Sequence, residues 1–229
     1  MTSDAGLGRE WGGVIRVLED VIPVYDRVNR VISLGRDASH RRRGIEGRIS
    51  GGDRVLDAGS GLGAMTAVAA GAGASVTMCD PLLPMLRGAA GRGADAAAAC
   101  GVFEKLPFRD GAFDAVVCGY SLRDAINLRR AISEAHRVLA GGGRLVVVDL
   151  GKPDGPVQRA GVSFYLRCIM PLLALAAGGR LGAGFAAIYG TYRRWPRNGV
   201  LREMLLERFE RVELETDLAG GAVMIAAYK

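Results

Sequence analysis

From Asp53 onward, short apolar runs alternate with helical segments, and no other feature of this 229-residue chain limits its fold as much. Val55-Leu56-Asp57 reads as a strand, Ala64 to Ala70 as a helix and Ser75 to Cys79 as a second strand. Leu83 to Gly91 reads as a second helix and Ala97 to Val102 as a weak third strand. A fourth strand at Phe113 to Cys118, a helix at Ala125 to Leu139 and a fifth strand at Arg144 to Leu150 complete the series. Continuous apolar strands separated by helices need both sheet faces covered, so a mostly parallel, doubly wound α/β sheet is expected. Phe209 to Thr216 and Ala222 to Tyr228 are joined by too short a link for a parallel crossover and should form a terminal antiparallel hairpin. The helical, glycine-punctuated stretch of residues 156–200 exceeds an ordinary crossover and is read as an insertion over the carboxyl edge of the sheet.

Upstream, Ile15, Leu18, Ile22, Tyr25, Val28 and Ile32 recur at helical spacing, interrupted near Pro23. Residues 1–50 are therefore expected to form a helical lid on a domain of residues 51–229. Hydrophobic residues at 49% and charged residues at 24% exclude a disordered chain. Aromatic residues at only 6% argue against a nucleic-acid stacking surface, and no nucleic-acid partner is expected. The net charge is +6, and with Lys only at 105, 152 and 229 nearly all the basic residues are Arg, a bias that suits an anionic surface or follows from genome composition. No secretory signal is read at the amino terminus, and the longest apolar segment, Cys168 to Ala177, falls short of the roughly 20 residues of a membrane span. A cytoplasmic protein is expected. Cys79, Cys100, Cys118 and Cys168 are scattered and metal-ligand spacing is lacking, so no metal site is expected; a Cys79–Cys100 disulfide between neighbouring strands stays open.

Asp57-Ala58-Gly59-Ser60-Gly61-Leu62-Gly63-Ala64 lies where the first strand turns into a helix. Gly59, Gly61 and Ala64, with Asp80 after the second strand, satisfy a dinucleotide template. Asp57, Gly59, Gly61 and Gly63 equally satisfy a loop that holds S-adenosylmethionine. Electrostatics separates the two, because a carboxylate at Asp57 would repel a docked pyrophosphate, whereas S-adenosylmethionine brings an ammonium and a sulfonium. Asp80 can accept from a ribose diol in either case.

Further along, Glu104-Lys105-Leu106-Pro107-Phe108, with Asp110, Phe113 and Asp114, resembles the E-x-LPF-x-D-x-x-FD stretch of small-molecule methyltransferases. Tyr120-Ser121-Leu122-Arg123-Asp124, Ala131-Ile132-Ser133-Glu134 and the run Arg137 to Leu145 resemble the FGLRN...AL-x-E-x-x-RVLKPGG-x-L segment of the ubiquinone/menaquinone C-methyltransferase family. Tyr25-Asp26...Asn29...Ser33-Leu34-Gly35, Ile169-Met170-Pro171 and Arg193-Arg194-Trp195-Pro196 are similar to its flanking motifs, in the family's order. The chain departs from the pattern at Asp124, where the family has Asn, at His40, which stands for a Trp, at Ala140-Gly141-Gly142-Gly143 in place of KPGG, and at Val102, where an acidic residue usually faces adenine.

The resemblance implies the class I methyltransferase fold, S-adenosylmethionine as cofactor and a ring carbon of a polyprenyl quinol as methyl acceptor. Cofactor contacts are expected from Asp57, Gly59, Ser60, Gly61, Gly63, Asp80, Pro81, Phe103 and Glu104, with Phe103 packing on adenine. For the chemistry, Arg123 is the expected cation beside the developing phenolate, or else an exposed salt-bridge partner. Asp124 is the base, or else the N-cap of a helix starting at Ala125. Tyr25 bonds a quinol oxygen or packs in the core, and His40 is assigned to a polar loop. A lipid-soluble quinol partner makes peripheral membrane contact an expectation; a homodimer stays open. The alternatives are methylation of another small hydrophobic or phenolic acceptor and a non-catalytic subunit that binds S-adenosylmethionine.

Overall fold

A computed structural model describes residues 22–92 and 96–229. Seven strands form one sheet: β1 (Arg54–Ala58), β2 (Ser75–Asp80), β3 (Ala97–Cys100), β4 (Phe113–Gly119), β5 (Leu139–Leu150), β6 (Arg211–Asp217) and β7 (Ala222–Tyr228). Their spatial order is β3-β2-β1-β4-β5-β7-β6. Pairing is parallel from β3 across to β5 and antiparallel for β5 with β7 and β7 with β6. The expected sheet and terminal hairpin are both present, with β6 on the edge and the wholly apolar β7 inside.

Alternation along the central strands sorts side chains to opposite faces. Val55, Val117, Val146 and Val148 join Met65 and Ala69 on one side. Leu56, Val116, Leu145 and Val147 join Ile132, Leu201 and Leu205 on the other. Each fully buried Val or Leu is stabilised by about 1.5–3 kcal/mol, so β1, β4 and β5 form a rigid frame. Strand order reverses between β1 and β4, and the crevice outside their carboxyl ends is where such sheets bind ligands.

The helices are α1 (Tyr25–Ile32), α2 (Asp37–Ile45), α3 (Ala64–Gly71), α4 (Leu83–Ala90), α5 (Leu128–Val138), α6 (Pro156–Phe164), α7 (Met170–Gly182), α8 (Ala187–Arg194) and α9 (Asn198–Leu206). Of the amino-terminal stripe, Ile15 and Leu18 lie outside the described residues, while Val28 is fully buried in α1 beside Val24, Ala174 and Phe185. The described residues before 50 divide in two. The first part, α1, packs on the insertion, but α2 belongs with the sheet: Ile45 and Ile49 enter the core. Gly44 lets α2 approach β5, since a Cβ there would lie 2.4 Å from Val148 Cγ2.

Three other expectations change. The fifth helix begins at Leu128 rather than Ala125, because Ala125 is extended and the cap is Asn127, whose side chain accepts from Arg130 N at 3.0 Å. Strand β5 starts at Leu139, pairing with Phe113 before an irregularity in register. Cys79 pairs in register with Ala99 and Asp80 with Cys100, so the two thiols point to opposite sheet faces and cannot form a disulfide; both are free.

The insertion, α6 to α8, is more continuous than its sequence suggested. A π-helical turn at Tyr165–Ile169 joins α6 to α7, and Gly179 breaks the run with φ 58° and ψ −144°. Residues Pro156–Arg194 include an 18-residue window with mean hydropathy 1.6, enough by length and composition for a membrane span, in contrast to the ten-residue expectation. One side of this run is nevertheless used within the protein, where Leu166, Met170, Ala174 and Gly178 are buried.

Candidate active site

The loop after β1 is tied to the end of β2. Gly59 N and Ser60 N donate to Cys79 O at 2.8 and 3.1 Å, and Gly61 N donates to Asp80 Oδ2 at 2.8 Å. Gly59, Gly61 and Gly63 all have positive φ, at 66°, 54° and 83°. At Gly59 space is also decisive, since a Cβ would lie 2.6 Å from Ser121 Cβ and 2.8 Å from Phe103 Cζ. Asp57 is 0% exposed and accepts from Thr66 Oγ1 at 2.6 Å through one oxygen. Its other oxygen, and the Ser60 hydroxyl, are buried without a partner. Burial pushes the carboxyls of Asp57 and Asp80 each up to about 6.

These residues fit S-adenosylmethionine. A buried, half-satisfied carboxylate has acceptor capacity for an ammonium, and a cation beside it offsets its desolvation. Asp80 fastens Gly61 and Leu82 through their backbone N–H groups, one to each carboxylate oxygen, so it shapes the loop, and Pro81 follows it in the chain. Phe103 is buried with its ring edge against Gly59. Glu104 Oε1 accepts from Asn127 N at 2.9 Å, which fixes the start of α5, while its Oε2 is buried without a partner.

The cleft beside the glycine loop also reaches Tyr25, Asn29, Asp37 and Arg41, and these residues form a wall shared with a second cavity of about 360 Å³. That cavity is mostly apolar, with Ile32, Leu150, Val162, Leu166, Met170 and Ile188 on its walls. It is assembled from α1, α2, the end of β4, the insertion and the β6–β7 turn. Two guanidinium groups face it. Arg123 bonds Asp149 Oδ1 at 2.8 Å and the Tyr120 carbonyl, with Asp149 wholly buried. Arg41 lies 4.9 Å from the Tyr120 ring centroid and 3.6 Å from Asp37. The Nε of each is buried and unpartnered.

Of the expected chemical residues, Tyr25 and Arg123 line this cavity. Arg123 is in a buried ion pair rather than an exposed one. Asp124 sits behind it, 3.8 Å from Arg123 Nε, and is not among the cavity-lining residues. Burial raises the carboxyls of Asp124 and the phenol of Tyr25. His40 is no loop residue: it lies in α2 and is 1% exposed. Arg41, Asn29, Tyr120 and Asp149 were given no role from sequence; Asn29 and Tyr120 stood only as members of the family motifs and Arg41 as part of a basic run.

A model of the ubiE/COQ5 methyltransferase family matches residues 7–229. The chain is 31% identical over 222 residues to the demethylmenaquinone methyltransferase of Paenarthrobacter aurescens, covering 96% of this chain and 87% of that one. It is 31% identical over 229 residues to the demethylmenaquinone methyltransferase of Mycobacterium marinum, covering 99% and 98%. Among solved structures, an S-adenosylmethionine-dependent methyltransferase of Thermotoga maritima superposes with a TM-score of 0.66 at 16% identity, over 94% of this chain and 99% of that one. The [4+2]-cyclase SpnF superposes at 0.55 with 20% identity, over 84% and 81%, so structural likeness at this level shows the fold alone. The sequence match goes further. With a glycine loop and acidic pair suited to S-adenosylmethionine as methyl donor, this chain belongs to the ubiE/COQ5 methyltransferase family.

Proposed function

We propose that the protein methylates a ring carbon of a polyprenyl quinol, demethylmenaquinol or a related quinone precursor. The observation that carries this reading is the two guanidinium groups, of Arg41 and Arg123, in the walls of a mostly apolar cavity, with the Nε–H of Arg41 buried and unpartnered. Buried donors without partners are costly, and an acceptor oxygen would satisfy them. The names of the relatives, demethylmenaquinone methyltransferases, support the same substrate class.

S-adenosylmethionine supplies an electrophilic methyl group when bound. A phenolic hydroxyl has a pKa of about 10, and losing its proton raises electron density at the ring carbon that must attack. Arg123 and Arg41 stabilise the resulting oxyanion in a site whose walls are mostly apolar. Tyr25, on the shared wall, orients the ring between the two cavities. Apolar residues of α6 and α7 hold the first part of the prenyl tail. Incubation with radiolabelled S-adenosylmethionine and demethylmenaquinol in detergent tests this: label should enter the quinone fraction. Transfer only to water-soluble phenols would favour the alternative acceptor, and tight cofactor binding without any transfer would favour a non-catalytic subunit.

We also infer peripheral contact with an anionic membrane. Val157, Phe164 and Leu172, exposed at 79%, 60% and 68%, continue through Cys168 and Leu175 as one stripe along α6 and α7. The flanking Arg167 and Arg180 are exposed. Such a face buries its apolar side chains at the acyl boundary and pairs its cations with lipid phosphates. Other faces of the same helices line the acceptor cavity, which gives a lipid-borne quinol a short route. Flotation with vesicles containing phosphatidylglycerol should recover the protein at low salt and less at high salt; equal recovery with neutral vesicles, or a dimer through this face, would overturn the assignment.

A further inference from the structure

From the wall of the acceptor cavity outward, three side chains from distant parts of the sequence form a continuous polar chain. Tyr120 Oη lies 2.7 Å from His40 Nδ1, and His40 Nε2 lies 3.0 Å from Asp217 Oδ2. Tyr120 follows β4, His40 is in α2 and Asp217 ends β6. Tyr120 and His40 both line the cavity, and Tyr120 is a non-glycine residue with φ 61°, a strained conformation that active sites hold for a purpose. Its backbone N–H is anchored to Val148 O at 2.7 Å, so the unusual geometry is fixed by the sheet.

The direction of the hydrogen bonds follows from Asp217. Besides His40 it accepts from Arg36 at 3.0 Å, Arg43 at 3.4 Å and Leu218 N at 2.7 Å. With the His40 hydrogen bond as the leading cause, these partners hold its carboxyl down to about 2. An ionised carboxylate can only accept, so the His40 nitrogen facing it, Nε2, carries a proton, and the relay uses Nδ1 as the acceptor. Tyr120 must therefore donate to His40, which leaves the phenol's lone pairs to receive a proton from the cavity side. In the motif resemblance, Tyr120 and His40 stand where the family pattern has Phe and Trp, so neither alone accounts for the pair.

We propose that Tyr120, His40 and Asp217 relay the proton of the acceptor hydroxyl, which deepens the quinol reading and rests on it. The acceptor O–H bond breaks as a new O–H forms on Tyr120. Tyr120's own O–H breaks as N–H forms on His40 Nδ1, and the imidazolium is paired with Asp217. After methyl transfer the ring hydrogen passes to water, and the proton on His40 returns through Tyr120 to the acceptor oxygen. One proton is released per turnover. Tyr120 is the catalytic residue of the three, while His40 and Asp217 act through it as positioning residues.

The charged surroundings set the pH response. Arg36 just before α2, Asp37, Arg41 and Arg43 on α2, Asp217 on the β6 side, and Arg123 and Asp149 beside Tyr120 all face this chain. Tyr120→Phe keeps the ring under Arg41 and removes only the hydroxyl. Its kcat toward the quinol should fall about 100-fold, with cofactor affinity close to that of the parent. The loss should shrink for acceptors with more acidic phenols, an effect that a packing role would not produce. Nitrogen-15 shifts should also show His40 as the Nε2–H tautomer at neutral pH, a readout independent of turnover. A parent enzyme active on the quinol with Tyr120→Phe equally active, an equal loss across the acceptor series, or an Nδ1–H tautomer would overturn the relay; a parent inactive on every quinol would instead overturn the substrate assignment on which it rests.

Discussion

The two cavities on either side of Tyr25 and Arg41 are built by opposite strategies. The cofactor cleft uses contiguous backbone: the loop of residues 57–64 is pinned to the adjacent strand end by hydrogen bonds from Gly59, Ser60 and Gly61. The acceptor cavity uses side chains from α1, α2, the β4 terminus, the insertion and the β6–β7 turn, brought together only by tertiary packing. A backbone cradle tolerates little change at a few glycines, whereas a side-chain cavity can change its acceptor by substitution without disturbing the sheet. Perturbing the first should therefore abolish function outright, and perturbing the second should alter turnover at nearly constant cofactor affinity.

The strongest break is expected at Gly59. Gly59→Val meets both Ser121 and Phe103 and demands a positive φ from a β-branched residue, so S-adenosylmethionine binding should fall by at least about 100-fold, equivalent to roughly 2.7 kcal/mol. Calorimetric titration measures it. Gly61→Ala serves as contrast: it has the same backbone sign but nothing within 4 Å of the added Cβ, so a smaller loss is expected. Equal affinity in parent and Gly59→Val would show that the cofactor does not depend on this cradle.

On the acceptor side, Arg123→Ala should lower kcat by about 10²–10³ with cofactor affinity nearly unchanged. Removal also strands Asp149, which is 0% exposed, and breaking one side of a buried pair costs about 3–5 kcal/mol. Thermal unfolding should therefore drop along with turnover, and Arg123→Lys should recover more stability than activity, because Lys cannot reproduce the fork of N–H donors. Loss of cofactor affinity equal to the loss of turnover would erase the distinction between the two cavities.

A pH titration sharpens the comparison from the cofactor side. Asp57 and Asp80 titrate near 6 when folded, above the ordinary value of about 4 for an unfolded Asp. Their protonated forms thus favour the folded state: this contribution is fully present below about pH 4 and is lost as pH rises through 6, by up to about 3 kcal/mol per group. Asp114 and Asp217, held near 2 by their Arg and His40 partners, act in the opposite sense and only below about pH 4. Between these windows the cofactor-free protein should melt at a higher temperature at pH 5 than at pH 7. Cofactor affinity should move the other way, weakening roughly tenfold from pH 6.5 to 5 as Asp57 loses its charge. Affinity independent of pH across this range would remove Asp57 from the role of counter-ion.

Legibility in the sequence follows the same division. The sheet, the glycine loop, Asp57 and Asp80 were readable because local patterns determine them: strand periodicity, a turn that only glycines can make, and charge compatible with one cofactor rather than another. Arg41 was hidden within Arg41-Arg42-Arg43, since nothing local distinguishes the one arginine that turns inward from its exposed neighbour Arg42. His40 was misplaced because its partners, Tyr120 and Asp217, lie 80 and 177 residues away. Glu104 matched a family motif, yet its carboxylate holds the amino terminus of α5, a role that depends on where Asn127 rather than Asp124 starts that helix.

Asp124 gives the smallest expected effect and the finest test. It does not cap α5, so Asp124→Asn has no cap to preserve, and its carboxylate lies behind Arg123 rather than in the cavity wall. As a base it would have to act through a rearranged Arg123 or through water. As a second counter-ion it merely tempers the Arg123 charge, and the neutral amide would leave that guanidinium paired with Asp149. The second role predicts a change in kcat of no more than about threefold, under 1 kcal/mol in transition-state stabilisation. Asp124→Asn should also unfold at nearly the parent temperature, because it removes a buried carboxyl whose ionisation burial already opposes. A fall in kcat of about 10² or more at unchanged stability and cofactor affinity would restore Asp124 as the base. It would also make the side-chain cavity as intolerant of a single change as the backbone cradle beside it.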